Sequence, residues 1–365
     1  MTDIEQFFIT HSYLISLLSF SIGLVCMPMV IKIARAKHLV VRPNKRMCHT
    51  GEVPNVGGID ICISFVLTCL LFGFNAIEHN QFFIIGIFVI LMVGFVDDLL
   101  VLSPLAKLFG ELLAGIALIG FADIRITHLH GLFGIEQIGI VPSYLLSAFV
   151  LVAIINAINL IDGVDGLASG LGMLYCLFFA IYFGLIGETK WSIVAISLIG
   201  SLAVFFCYNV FGKRQKIFMG DSGSLLLGYI LTTFVFRFCE MNAYHLVPGE
   251  YHMSAAPAVA ICVLTVPLFD TVRVSLTRIK QHRSPFLPDK NHIHHLLLKA
   301  GLNHLQTTCV LLFVSFLFID LALLGRNWNM WVLAGIDFAF ATLLTLLLWH
   351  IINKKNAQQN ETPNT

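Results

Sequence analysis

Eleven blocks of apolar residues dominate this 365-residue chain, and most are close to the length needed to cross a bilayer. They lie near 12–34, 57–77, 81–97, 104–121, 142–160, 166–186, 191–211, 223–239, 256–274, 306–325 and 329–352. About 20 apolar residues in helical form span the hydrocarbon core. Inside it, a helix satisfies its own backbone polar groups and an open strand does not. The chain is therefore expected to be an all-α polytopic membrane protein with about eleven transmembrane helices. Composition agrees: 58% of residues are hydrophobic and 12% charged, where a soluble domain carries roughly 25% charged. A net charge of +1 points to no class of partner. No basic patch is interleaved with aromatics, so nucleic acid is not an expected partner. The nine cysteines fall mostly inside apolar blocks and form no CxxC, which reads as small apolar residues rather than a disulfide set. The opening Met1-Thr-Asp-Ile-Glu lacks the basic region of a cleaved signal. Residues 1–352 are expected to form a single transmembrane catalytic domain, and 353–365 a polar cytoplasmic tail.

Lysine and arginine set the expected orientation. The connection after the first block holds Lys32, Arg35, Lys37, Arg42, Lys45 and Arg46. The one after the seventh holds Lys213, Arg214 and Lys216, and the one after the ninth holds Arg273, Arg278, Lys280, Arg283, Lys290 and Lys299. Lys354 and Lys355 close the series, while the opposite connections offer only Arg125, Lys190, Arg237 and Arg326. Eleven spans then place the N-terminus in the periplasm and the C-terminus in the cytoplasm. Asp97, Asp98, Asp162, Asp165, Asp221, Asp270, His292, His294 and His295 all fall on the cytoplasmic side. The orientation comes from cations alone, so this grouping of acids and histidines independently suggests one cytoplasm-facing site.

Four motifs carry the chemistry. In "GFVDDLLVLSP", Asp97 and Asp98 are adjacent carboxylates at a membrane edge. Like charges side by side need a cation or proton to answer them, and a divalent ion that also binds phosphate is a natural answer. In "NAINLIDGVDGLASG", Asn156 and Asn159 lie three apart, as do Asp162 and Asp165, so each pair could share a helix face. Amides inside an apolar block need polar partners, which an oxygen-lined site supplies. In "FMGDSGSLLLG", Asp221 precedes a helix whose first N–H groups could attract phosphate, or it could serve only as a cap. In "RSPFLPDKNHIHHLLLKAG", a zinc site is disfavoured because no HExxH or cysteine partner is present. Arg283, His292, His294 and His295 gripping a diphosphate is the better reading. The "RPNKRMCHTGEVPNVGG" segment could anchor to anionic lipid, but its Pro54–Gly58 end is more patterned than an anchor needs. Lys107 and Glu111, four apart, are expected to pair, and Lys107 is also a candidate substrate contact. Glu78, Asp123, Glu136, Glu188, Glu240 and Glu250 are read as solvated loop residues on the far side.

Together these motifs resemble the polyprenyl-phosphate N-acetylhexosamine-1-phosphate transferases: VDD at a helix end, NAINLIDGVDGLASG, FMGDSGS and an HIHH loop. The resemblance implies transfer of a sugar 1-phosphate from a UDP-sugar to a lipid phosphate, with Mg2+ or Mn2+, releasing UMP. It implies metal ligation by Asp221 with Asn159 nearby. It counts Asp97, Asp98, Asp162 and Asp165 as catalytic, with Asp162 and Asp165 near the uridine or pyrophosphate. It makes Asn156, Asn159, Lys107, Arg283, His292, His294 and His295 substrate contacts. Ile293 interrupts the histidine run, and there are eleven blocks rather than ten. Both favour the branch that joins UDP-GlcNAc to undecaprenyl phosphate at the start of O-antigen or enterobacterial common antigen type glycans, over the peptidoglycan branch. That branch implies a bacterial inner-membrane location and a possible homodimer. A cation-coupled transporter is the competing class. It would hold its acids near the midplane between repeated halves, whereas these acids sit at one face and no repeat is evident.

Overall fold

A computed structural model describes residues 12–41, 53–72, 81–243, 247, 249–282 and 291–361. The helices are α1 (Ser12–Ala36), α2 (Gly57–Phe72), α3 (Gln81–Leu100), α4 (Pro104–Gly115) and α5 (Ile140–Ile161). They continue with α6 (Leu167–Leu185), α7 (Thr189–Phe206), α8 (Gly220–Ala243), α9 (Ala256–Val263) and α10 (Thr265–Lys280). Last come α11 (Ile293–Lys299), α12 (His304–Leu324) and α13 (Met330–Glu361). Helices α4 and α7 end in π-helical turns at Ile116–Phe121 and Cys207–Phe211. Two short antiparallel ribbons complete the described fold: β1 (Val40–Val41) with β2 (Val53–Pro54), and β3 (His128–Leu132) with β4 (Ile135–Gln137).

Among the described residues, nine helical segments are long and apolar enough to cross a membrane, α4 and α7 counted with their π turns. The shorter α2 and the bent pair α9–α10 account for the other two apolar blocks. The chain is thus an all-α polytopic membrane protein. Helix α8 is its axis. It packs on α2, α3 and α5, and 94% of its apolar window is buried, against 28% for α1 and α13. The outer helices turn Leu17, Val25, Phe88, Phe149 and Phe313 outward, as lipid-facing positions require. Close approach to α8 depends on a residue without a Cβ. An added Cβ at Gly94 of α3 would lie 2.5 Å from the Asp221 carbonyl oxygen and from the Ser222 amide.

The ninth apolar block is not one straight span. It breaks at Leu264, where α9 and α10 meet at 80°. Pro267 explains the break, since it has no N–H to give to the carbonyl four residues back and its ring crowds that carbonyl. Thr265 Oγ1 stabilises the corner by donating to Asp337 Oδ1 of α13 at 2.7 Å. At the other end of the chain, α13 runs unbroken to Glu361, so residues 353–361 extend the last helix.

Candidate active site

The stretch between β2 and α2 is tied to the residues that lead into α8. Gly57 N and Gly58 N donate to the carbonyls of Phe218 and Met219, and Phe218 N donates to Pro54 O. The patterned Pro54–Gly58 stretch is therefore the brace for the residues that lead into α8. It carries Asn55, whose Nδ2 donates to Asp98 Oδ1 at 2.8 Å.

Asp98, near the end of α3, closes the start of α8. Its Oδ1 accepts from Asp221 N at 2.8 Å and its Oδ2 from Ser222 N at 3.0 Å. These are the amides expected to attract phosphate, and a carboxylate from another helix already occupies them. Asp98 thus acts as a cap supplied in trans, and Asp221 is freed from that duty.

Asp221 points instead toward α4 and α5. Lys107 sits one turn into α4, brought back over α3 by the tight Val101–Ser103 connection; Ser103 Oγ accepts from Ala106 N and Pro104 opens the helix. The Lys107 ammonium lies 3.0 Å from Asp97 Oδ2, 3.1 Å from Asn159 Oδ1 and 3.4 Å from Asp221 Oδ1. Asn159 Nδ2 donates to Asp221 Oδ1, and to Ser224 Oγ at 2.8 Å. Asp97, 8% exposed, also accepts from Leu102 N at 2.6 Å. Lys107 therefore does not pair with Glu111. That acid is met by Asn156 Nδ2 at 2.7 Å, one turn further along both helices. The two asparagines of the span each find the oxygen partner that an amide in an apolar segment needs.

Asp162 and Asp165 do not share a helix face. Helix α5 ends at Ile161, and both acids lie in the turn before α6. Burial, then the charges of Asp221, Asp98 and Asp165, push the Asp162 carboxyl up to about 7. Asp165 has the opposite fate. Lys216 Nζ at 2.7 Å and His304 Nδ1 at 3.1 Å hold it below the usual carboxylate range, outweighing its burial. It is clamped, whereas Asp162 is poised to exchange a proton near neutrality.

The histidine helix α11 docks against this turn. An added Cβ at Gly163 would lie 2.3 Å from His294 Nε2, so the ring packs directly on that glycine. Asp270 of α10 anchors the start of α11: it accepts from His292 Nδ1 at 2.9 Å, from Ile293 N at 3.0 Å and from Arg273 at 2.6 Å. His292 and His294 stack with centroids 5.8 Å apart, and His295 lies 4.3 Å from His294. Burial, and then His295, lower His294 to about 3, so it is a neutral ring at physiological pH. His292 and His294 each keep one buried ring nitrogen without a hydrogen-bond partner among the described residues. Arg283 lies outside the described residues.

Sequence reasoning missed several contributors. Lys216 and His304 clamp Asp165, and Asn55 holds Asp98. Asp60 sits fully buried in the first turn of α2, with neither carboxylate oxygen bonded among the described residues. An acid within an apolar block is the same signal that singled out Asn156, and it could have found Asp60. Glu240 is no solvated loop residue: it belongs to α8 and accepts from Thr127 N at 2.7 Å and from Thr127 Oγ1 at 2.5 Å. Glu78 falls outside the described residues.

Helices α3, α4, α5 and α8 thus bring a lysine, two asparagines and several carboxylates together. The model of glycosyl transferase family 4 matches residues 80–238, which hold α3 to α8 and so most of this cluster. The undecaprenyl-phosphate alpha-N-acetylglucosaminyl 1-phosphate transferase of Escherichia coli O157:H7 is 30% identical over 322 residues, 84% of this chain and 83% of its own. The chain belongs to glycosyl transferase family 4. The similarity extends across bacteria: the Yersinia pestis protein of the same description is 28% identical over 86% of this chain and 84% of its own. A Bacillus subtilis (strain 168) protein, described as a probable undecaprenyl-phosphate N-acetylglucosaminyl 1-phosphate transferase, is 29% identical over 97% of this chain and 96% of its own. In this family member, the described residues outside 80–238 that reach the cluster include Asn55 on the N-terminal side and the α10–α12 histidine region on the other.

Proposed function

We propose that the chain transfers N-acetylglucosamine 1-phosphate from UDP-GlcNAc to undecaprenyl phosphate, releasing UMP, at the cytoplasmic face of a bacterial inner membrane. The observation that carries this reading is the convergence of Asp97, Asn159 and Asp221 oxygens on one point at the membrane edge, now answered by the Lys107 ammonium. The descriptions of the relatives name undecaprenyl phosphate and an N-acetylglucosaminyl 1-phosphate group, and the motifs' resemblance suggests UDP-GlcNAc as the donor. The basic connections supply the orientation, and the product would start a glycan of the O-antigen or enterobacterial common antigen type.

Two carboxylates and an amide are hard oxygen donors of the kind that suits Mg2+ or Mn2+. Among the described residues no three acids, histidines or cysteines are grouped to hold a metal. The site would therefore need phosphate oxygens as well, the usual arrangement for magnesium. Such an ion would supply charge neutralisation for the phosphoryl oxygens and for the leaving UMP.

The protein's own residues orient and balance charge. Lys107 would move from the carboxylates to the diphosphate once a cation answers the acids. Asp162, with a carboxyl near 7, would take a proton from the monoanionic lipid phosphate. The second phosphate pKa is about 6, so near neutrality, where Asp162 begins to ionise, only the monoanionic fraction of the acceptor would need this help. His292, oriented by Asp270, would donate an Nε2–H to a phosphoryl oxygen when both ring nitrogens carry a proton, and His294 would line the pocket as a neutral ring. Asp98 would hold α8 in place rather than touch substrate.

The deciding experiment is UMP release by the purified protein from UDP-GlcNAc, with and without undecaprenyl phosphate. UMP formed only when both are present supports the reading. Release from UDP-muramoyl pentapeptide alone would move the chain to the peptidoglycan branch, and no release from either would overturn the assignment.

A further inference from the structure

Helices α10 and α13 leave a groove between them on the outer surface of the bundle, apart from the carboxylate cluster. Its volume is about 340 Å³. The α10 wall presents Phe269, Arg273, Leu276 and Lys280, and the α13 wall includes Phe338 and Trp349. Each wall repeats at three-, four- and seven-residue intervals, so each is a single helix face. Phe269 and Phe338 meet edge to face at 5.5 Å and join the two walls at one end. Lys280, in the last turn of α10, and Trp349 line the other.

The chemistry of this groove is one-sided. Most of its lining is apolar, and Leu276, Phe338 and Trp349 are more than half exposed on a surface that lipid covers. Among the described residues that line it, the charged ones are Arg273 and Lys280, both cationic. Tryptophan and lysine are side chains that settle at the headgroup level. An amphiphile with an anionic head and acyl tails matches both halves of this surface, whereas a soluble anion would leave the apolar wall unused.

We propose that this groove is a binding site for an anionic phospholipid of the surrounding bilayer, its phosphate held by Lys280 and Arg273 and its chains laid between α10 and α13. Arg273 gives the site a second consequence. Its guanidinium also donates to Asp270 Oδ1 and to Asn291 O, directly before His292. A phosphate drawn to Arg273 would reach the same residue that fixes the entrance of the histidine helix. The lipid composition of the membrane would thereby bear on how that helix is held.

The test reads binding and does not depend on the proposed reaction. The full chain is purified in mild detergent, supplied with defined phosphatidylglycerol or phosphatidylethanolamine, and examined by native mass spectrometry. Wild type should retain one phosphatidylglycerol in preference to phosphatidylethanolamine. Lys280→Gln should weaken that retention by about fivefold, and Lys280→Arg should preserve it. Thr342→Trp, which fills the groove from α13, should abolish it while the thermal unfolding midpoint stays near wild type. Equal retention of both lipids, or phosphatidylglycerol binding unchanged in both Lys280→Gln and Thr342→Trp, would overturn the proposal. Undecaprenyl phosphate displacing phosphatidylglycerol from wild type, but not binding Thr342→Trp, would reassign the groove to the acceptor lipid.

Discussion

Asp98 Oδ1 lies 2.8 Å from the backbone nitrogen of Asp221, so one acid of the cluster caps the helix that carries another. The two should respond differently to the same change. Asp98→Asn replaces a carboxylate that accepts three hydrogen bonds with an amide that has one acceptor oxygen. It should cost about 1–3 kcal/mol of stability, seen as a lower thermal midpoint in detergent, along with activity. Asp221→Asn should leave the midpoint nearly unchanged. Its kcat/KM should fall at least about tenfold, and any remaining UMP release should need more magnesium. A wild-type magnesium midpoint and rate in Asp221→Asn would show that Asp221 is not a ligand.

Lys107 answers Asp97 and Asp221 together, and removing it leaves one buried and one half-buried acid unopposed. We expect Lys107→Met to lose up to about 3 kcal/mol without divalent ions. Added magnesium should recover more of the thermal midpoint in the variant than it adds to wild type, because the ion binds the folded site. Equal shifts in the two proteins would separate Lys107 from any cation site.

For Asp162 the expected signature is a pH–rate limb. Its carboxyl stands at about 7, so the base form accumulates, and kcat should rise, as pH increases through neutrality. Asp162→Asn should flatten that limb. The folded pKa is raised, so the unfolded chain gives up this proton first. Stability should therefore decline between about pH 4 and pH 7 and level off above, a trend that Asp162→Asn removes.

Asp165 carries the reverse sign. Lys216 and His304 depress its pKa, so its contribution is present above the ordinary aspartate value of about 4. It is lost as pH falls through the depressed folded value. Lys216→Met should shrink that acid-side loss in thermal scans between pH 3 and pH 6, in proportion to the ion pair removed.

Gly163→Ala tests how closely the histidine helix docks. The new methyl group would overlap the His294 ring, so α11 must shift. We expect KM for UDP-GlcNAc to rise while the protein still inserts and purifies as wild type does. Unchanged kinetics would remove α11 from the site.

Much of this was legible because the bilayer makes sequence speak plainly. All eleven apolar blocks correspond to helical segments, and Asn156 and Asn159 stood out because amides are costly in an apolar span. What stayed hidden depends on pairing between distant segments. Nothing in "VDD" says that its second aspartate caps a helix opening 123 residues later. The four-residue spacing of Lys107 and Glu111 suggested a local pair, but nearby asparagines and acids on α3, α5 and α8 offered each a better partner. Pro267 was visible inside the ninth block, yet the bend also needs Thr265 to find Asp337, and no local pattern reveals that.

That last contact sets an order on biogenesis. Thr265 and Asp337 are 72 residues apart, and chains are made from the N-terminus onward. While α9 and α10 are entering the membrane, the helix that stabilises their corner does not yet exist. The ribosome must add α11, α12 and the start of α13 before the corner gains its hydrogen bond and Asp270 can hold its final position. A chain truncated before residue 337 would keep every acid of the cluster and still lack the contact that fixes the turn beneath its histidines. Maturation of the site is thus tied to the arrival of its last span.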